Sequence, residues 1–74
     1  MLEELKELIL NYVEVEEEEI ALDSRFSEDL GFNSYDFMCM LGEAEDVFDV
    51  EIDETDAGKC KTVQELIDYL EAQK

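Results

Sequence analysis

The sequence predicts a small all-α protein of four helices, with a long loop after the first helix and a third helix of barely one turn. Three observations carry that expectation. Apolar residues recur at three- and four-residue steps in three separate segments, the spacing that lines one face of a helix. Asn33 and Thr62 stand where side-chain oxygens cap the start of a helix. No alternating run of strand length competes, the VEVE and DVEI pieces being too short.

In chain order, Leu2, Leu5, Leu8, Ile9, Tyr12 and Val13 form the first apolar stripe, with Glu3, Glu4, Lys6 and Glu7 between them. The following VEVEEEEIALDSRFSEDLGFN has no sustained period. Within it Ile20, Leu22, Phe26 and Leu30 are spaced as separate anchors of an ordered loop laid over a core. The run of four glutamates at 16–19 reads as a solvated bend. Gly31 lets the chain turn, Asn33 caps, and a second helix begins at Ser34 with Asp36 in its first turn. Its expected buried stripe is Phe37, Met40, Leu41, Ala44, Val47 and Phe48. Asp36, Glu43 and Asp46 fall opposite, and Met38, Cys39 and Gly42 lie off the stripe. A short helical turn from Glu54 to Ala57 has Gly58 placed to end it. Thr62-Val63-Gln64-Glu65 is a capping box, and Val63, Leu66, Ile67 and Leu70 give the last helix its buried face through about Ala72.

Composition bounds the function. At 74 residues the chain is near the lower size limit for a core without staples, so one domain over residues 1–74 is expected. Its 46% apolar content separates it from disordered acidic tails. With 23 Asp and Glu against 5 Lys and Arg, the formal charge of -18 repels nucleic-acid backbones and anionic membranes and favours basic protein surfaces as partners. The opening MLEELKELIL, interrupted by Glu and Lys, fits neither a signal peptide nor a membrane span. The expected location is therefore the cytoplasm, and the expected state a monomer.

The residues also limit the chemistry. With no histidine in the chain, Ser34 lacks the usual base of a nucleophilic serine, and Cys39 and Cys60 lack an imidazole partner and show no CxxC spacing. They read as reduced, structural thiols. Three short helices are not expected to enclose a cleft of ordinary ligand-site size, so the chain reads as a non-enzyme. Asp49, Glu51, Asp53 and Asp56 are rich in oxygen ligands for calcium. A calcium loop starting at Asp53 would nevertheless put Thr55, Ala57 and Gln64 where ligands are needed, which leaves only weak, non-specific divalent binding. Read physically, Ser34 is a hydroxyl at a helix N-terminus. A phosphate ester there would face free backbone N–H groups and the positive end of the helix dipole, although a serine in such a place is most often only a cap.

Phe26, Glu28-Asp29-Leu30-Gly31 and Asn33-Ser34 form a stretch similar to the F-x-E-D-L-G-x-D-S-L of acyl carrier proteins. Phe48-Asp49-Val50-Glu51-Ile52 resembles that family's segment after the second helix, and Lys59, Thr62-Val63 and Tyr69 resemble the approach to and body of its last helix. The resemblance covers nearly the whole chain. It implies a four-helix fold with a short third helix and a 4'-phosphopantetheine arm, taken from coenzyme A, on Ser34. It also implies acyl groups carried as thioesters for fatty-acid or polyketide-type synthesis. The partners it implies are a phosphopantetheinyl transferase and acyl-transfer and synthase enzymes with basic docking surfaces. Phe37, Met40, Leu41, Ala44 and the facing side of the last helix would line a shelter for the acyl chain, and Asp36, Cys39, Glu43 and Asp46 would share the docking face of the second helix. Asn33, Tyr35, Cys39 and Gly42 depart from the family's usual residues, which bears on the choice of partner enzymes. An aminoacyl or peptidyl carrier, and an unmodified acidic interaction or cation-binding protein, stand as alternatives.

Overall fold

A computed structural model describes residues 2–73. Its helices are α1 (Leu2–Leu10), α2 (Ser34–Phe48), α3 (Glu54–Ala57) and α4 (Val63–Ala72), with one 3-10 turn at Glu17–Glu19 in the first loop. The all-α expectation holds: no β-strand occurs among the described residues, and one isolated antiparallel bridge joins Arg25 to Thr62.

The core lies where three stripes meet. Leu5 and Ile9 of α1, Met40 and Leu41 of α2, and Val63, Leu66 and Leu70 of α4 are all but completely buried. α1 stops earlier than its stripe suggested. The N–H groups of Asn11 and Tyr12 bond the carbonyls of Leu8 and Ile9, a three-residue step that tightens the last turn. Tyr12 and Val13 leave the helix yet stay packed on the core. Two assignments need correction. Val47 was expected in the buried stripe of α2 but is 51% exposed, whereas its neighbour Phe48 is the residue of the last turn that packs on the core. Leu22 was expected as a loop anchor but is 43% exposed; its carbonyl, rather than its side chain, makes the attachment.

That attachment explains why a loop of this length is ordered. The N-terminus of α4 has N–H groups with no helical partner. Val63 N–H bonds the Ser24 carbonyl at 3.0 Å, Gln64 N–H bonds the Leu22 carbonyl at 2.8 Å, and Glu65 N–H bonds Thr62 Oγ1 at 3.2 Å. The capping box closes as Thr62 N–H donates to Glu65 Oε1. Phe26 N–H bonds the Lys61 carbonyl at 3.0 Å, so the loop is stitched to the start of α4 by backbone alone. Ser24 is the one buried polar residue described; its Oγ donates to the Glu19 carbonyl and accepts from Ala21 N–H. Ile20, Phe26, Leu30 and Phe32 then fill the space beneath.

Gly58 does follow α3, but for a reason other than left-handed geometry. It is right-handed, and a Cβ there would lie 2.9 Å from the Glu54 carbonyl oxygen, so a side chain is excluded by close approach. The helix end that does use a left-handed residue is that of α2, where Asp49, at φ 54°, puts its N–H on the Glu45 carbonyl.

A charge of -18 is held on a body only 28 × 22 × 19 Å across. At 10 mM salt the screening length is about 30 Å, so every like charge feels the others, whereas at 1 M it is about 3 Å. Thermal midpoint is therefore expected to rise by roughly 10 °C over that range, equivalent to about 2 kcal/mol for a domain of this size. Millimolar magnesium is expected to act at lower ionic strength, by favouring the denser charge of the folded state. Among the described residues no carboxylates or thiols converge as a metal-binding group, so calcium and magnesium are expected to act alike. Melts followed by circular dichroism test this; a midpoint indifferent to salt would mean the charges are locally paired.

Candidate functional site

The N-terminus of α2 is built by the chain on both sides of Ser34. Gly31 takes φ +80°, a conformation that strains any residue with a Cβ, and so redirects the chain after Leu30. Phe32 turns into the core, and Asn33 caps the helix, its Oδ1 accepting from Asp36 N–H at 2.7 Å. Because Asn33 does the capping, the exposed Ser34 hydroxyl, in the first position of the helix, has no hydrogen bond among the described residues. The Ser34 and Tyr35 N–H groups precede the helical ladder and lack helical acceptors.

Ser34 stands on the rim of a cavity of about 570 Å³. Phe26, Phe32 and Phe37 contribute an aromatic wall, with Phe26–Phe37 ring centroids 5.0 Å apart. Arg25, Ser27, Glu28, Asn33, Gly58, Cys60 and Lys61 complete the lining. The helices alone enclose no such cleft, as expected, but the stitched loop and the α3–α4 connection add walls that form an open hollow of that volume. Phe37 faces this cavity, but Met40, Leu41 and Ala44 are at most 1% exposed and belong to the closed core.

The shared face of Asp36, Cys39, Glu43 and Asp46 is only partly free. Asp36 and Cys39 are half-buried, and the Tyr12 hydroxyl donates to Glu43 Oε1 at 2.5 Å, tying the end of α1 to α2. That hydrogen bond, with burial and neighbouring charges added, pushes the Tyr12 phenol up to about 12. The side of α2 most open to solvent carries Tyr35, at 77%, with Met38, Gly42 and Asp46 following at helical spacing. Both cysteines are free thiols. Burial, and then the charge of Glu65, pushes the Cys60 thiol up, so it stays protonated at neutral pH.

Arg25 is clipped at the cavity edge, pairing with Glu28 and Asp29, and its N–H donates to Asp29 Oδ2 at 2.8 Å. These bonds from the Arg25 backbone and then its guanidinium hold the Asp29 carboxyl below the usual carboxylate range. Since the folded value lies below the unfolded one, the clip contributes stability above about pH 4 and loses it as pH falls through the lowered value. The groups are exposed, so the contribution is small. Arg25→Gln is expected to raise the Asp29 value part of the way, since the backbone donor remains. An NMR titration of the Asp29 carboxyl reads this directly, and an unmoved value would assign the whole shift to the backbone.

Comparison with known proteins decides the family. The pattern described as "Phosphopantetheine attachment site" matches residues 3–70. The chain belongs to the acyl carrier protein family. It is 37% identical to an acyl carrier protein of Phytoplasma australiense over 71 residues, covering 96% of this chain and 93% of that protein. To an acyl carrier protein of Chlorobium phaeobacteroides it is 40% identical over 68 residues, covering 92% and 87%. As in acyl carrier proteins generally, the cofactor is a covalent 4'-phosphopantetheine, the chain is a carrier rather than a catalyst, and its interactions are with phosphopantetheinyl transferases and synthase enzymes. Among the described residues no helix is long and apolar enough to cross a membrane.

The sequence singled out Ser34, its cap and the aromatic residues Phe26 and Phe37, which the structure places together. It did not indicate that Arg25, Cys60 and Lys61 join them around one cavity. Those three lie outside any helical period, and only the pairing of the loop with the start of α4 brings them there.

Proposed function

We propose that Ser34 carries the 4'-phosphopantetheine arm and that the protein shuttles acyl groups in fatty-acid or polyketide-type synthesis. The observation that carries the site is an exposed, unbonded hydroxyl in the first turn of α2, on the rim of the cavity. The fit of the arm is physical. A phosphodiester on Ser34 meets free N–H groups and the positive end of a 15-residue helix, and the adjoining cavity offers room with an aromatic wall. When attached, the arm supplies a thiol on which acyl groups are held as thioesters. The chain's own residues present that arm: Asn33 fixes the helix start, Gly31 the turn before it, and the solvent side of α2 gives a partner a surface beside the serine.

The names of the two relatives support acyl cargo. A cytoplasmic monomer is part of the same proposal, as is a single domain, which one continuous core supports. The strongly acidic surface favours enzymes with basic docking faces. The test is intact mass after incubation with coenzyme A and a broad-specificity phosphopantetheinyl transferase, followed by fragmentation. One arm located on Ser34 supports the assignment, and an arm on any other residue, or none with any transferase, sinks it.

A further inference from the structure

We propose that Lys61 is the cation that receives the phosphodiester of the arm, so that the arm rests against the cavity beside Ser34 instead of extending into solvent. This inference rests on the assignment of the arm to Ser34. In a chain of charge -18, only five residues are basic: Lys6, Arg25, Lys59, Lys61 and Lys74. Two of the five, Arg25 and Lys61, line the cavity that Ser34 also lines, against a single carboxylate, Glu28. With Asp29 also paired to Arg25 at the cavity edge, the neighbourhood is close to neutral, far less negative than the chain as a whole.

The two cations are not equivalent. Arg25 is occupied, pairing with Glu28 and Asp29. Lys61 is close to a carboxylate in sequence, but Glu65 Oε1 is engaged with the Lys61 and Thr62 N–H groups and the Thr62 hydroxyl. Among the described residues the Lys61 ammonium has no ion pair or hydrogen bond. Its backbone is also held fast, because its carbonyl accepts from Phe26 N–H at 3.0 Å and the capping box fixes Thr62 beside it. An anchored backbone with an unpaired ammonium limits the space the charge can search. The phosphodiester is confined as well, being one ester bond away from Ser34 Oγ. An interaction between two confined charges across one cavity loses little entropy on forming, unlike a surface pair of two free side chains.

The chemistry is that of a phosphodiester monoanion with a lysine ammonium, a charge-assisted contact that salt weakens. Basic groups on a docked enzyme would compete for the same anion, so docking and release of the arm become linked through one charge.

The experiment uses the arm-loaded protein, with attachment verified by mass. The 31P resonance of the phosphodiester and the contacts between arm protons and the Phe37 ring are recorded for wild type, Lys61→Gln and Lys59→Gln, at 10 mM and 1 M salt. All three proteins are expected to fold, both lysines being exposed. At low salt the wild type and Lys59→Gln are expected to share a displaced 31P position and the Phe37 contacts. Lys61→Gln is expected to lose both, and 1 M salt to bring the wild type to the Lys61→Gln position. Identical spectra for wild type and Lys61→Gln at low salt overturn the proposal while leaving the Ser34 assignment intact. Failure of Ser34 to take the arm overturns both.

Discussion

Replacing Ser34 with alanine is expected to abolish arm uptake completely while leaving stability within about 0.5 kcal/mol of the wild type. The reason lies in how labour is divided at the start of α2. A serine at a helix N-terminus is ordinarily a cap, and its loss would cost about 0.5–2 kcal/mol. Here Asn33 holds that role through its bond to Asp36 N–H, and the Ser34 hydroxyl bonds nothing. Alanine in the first turn has the best intrinsic helix propensity, so the fold does not need the hydroxyl. Asn33→Ala is the complementary variant, expected to lose the cap energy yet keep the hydroxyl that accepts the arm. Two other serines exist, at 24 and 27. Ser24 is buried and bonded at its Oγ, whereas Ser27 is exposed and lines the same cavity. Ser27→Ala is the control that must still take the arm. Intact mass and thermal melts on the three variants read both halves of the expectation, and modification persisting in Ser34→Ala would move the assignment to Ser27.

The parts of this protein legible from sequence were those governed by local rules. Asn33 and Thr62 announce helix starts because a short polar side chain can satisfy its own helix N–H groups, and both do so. The stripes of α1 and α4 could be read because one face of each meets the core along its length. α2 was read less well at Val47, since periodicity marks a helical face but cannot tell which of two adjacent apolar residues at its end, Val47 or Phe48, packs on the core. The loop was legible in part: Ile20, Phe26 and Leu30 are buried anchors as their spacing indicated. What could not be read is the stitching of Leu22 and Ser24 carbonyls to the N–H groups of α4, because a backbone acceptor has no residue-type signature. The same hidden pairing builds the cavity, so the exposed serine at the start of α2 was legible while Arg25, Cys60 and Lys61 around it were not.

Phe26→Ala is expected to be the costliest single change in the loop, lowering stability by about 3–5 kcal/mol. Phe26 is 4% exposed, and its ring meets Phe37 at 5.0 Å and Phe32 at 5.6 Å, the latter edge to face. Such aromatic pairs add about 0.5–1.5 kcal/mol beyond burial. Its backbone also sits at the seam, donating to the Lys61 carbonyl and accepting from Phe32 N–H at 2.8 Å. Part of the loss is offset, because Phe26 lines the cavity and solvent can enter the space its ring leaves. The expected cost therefore falls in the lower half of the range. For a chain of this length total stability is of the order of 4–11 kcal/mol, so even the lower figure removes a quarter or more of it. Leu22→Ala is the matched control: it shortens a residue that sequence spacing treats as an equal anchor but that is 43% exposed, and is expected to cost under about 1 kcal/mol. Urea denaturation should show the midpoint of Phe26→Ala well below both wild type and Leu22→Ala, with little change in slope. Equal losses in the two variants would mean that the loop is held by its backbone bonds to α4 and hardly at all by the aromatic wall beneath Ser34.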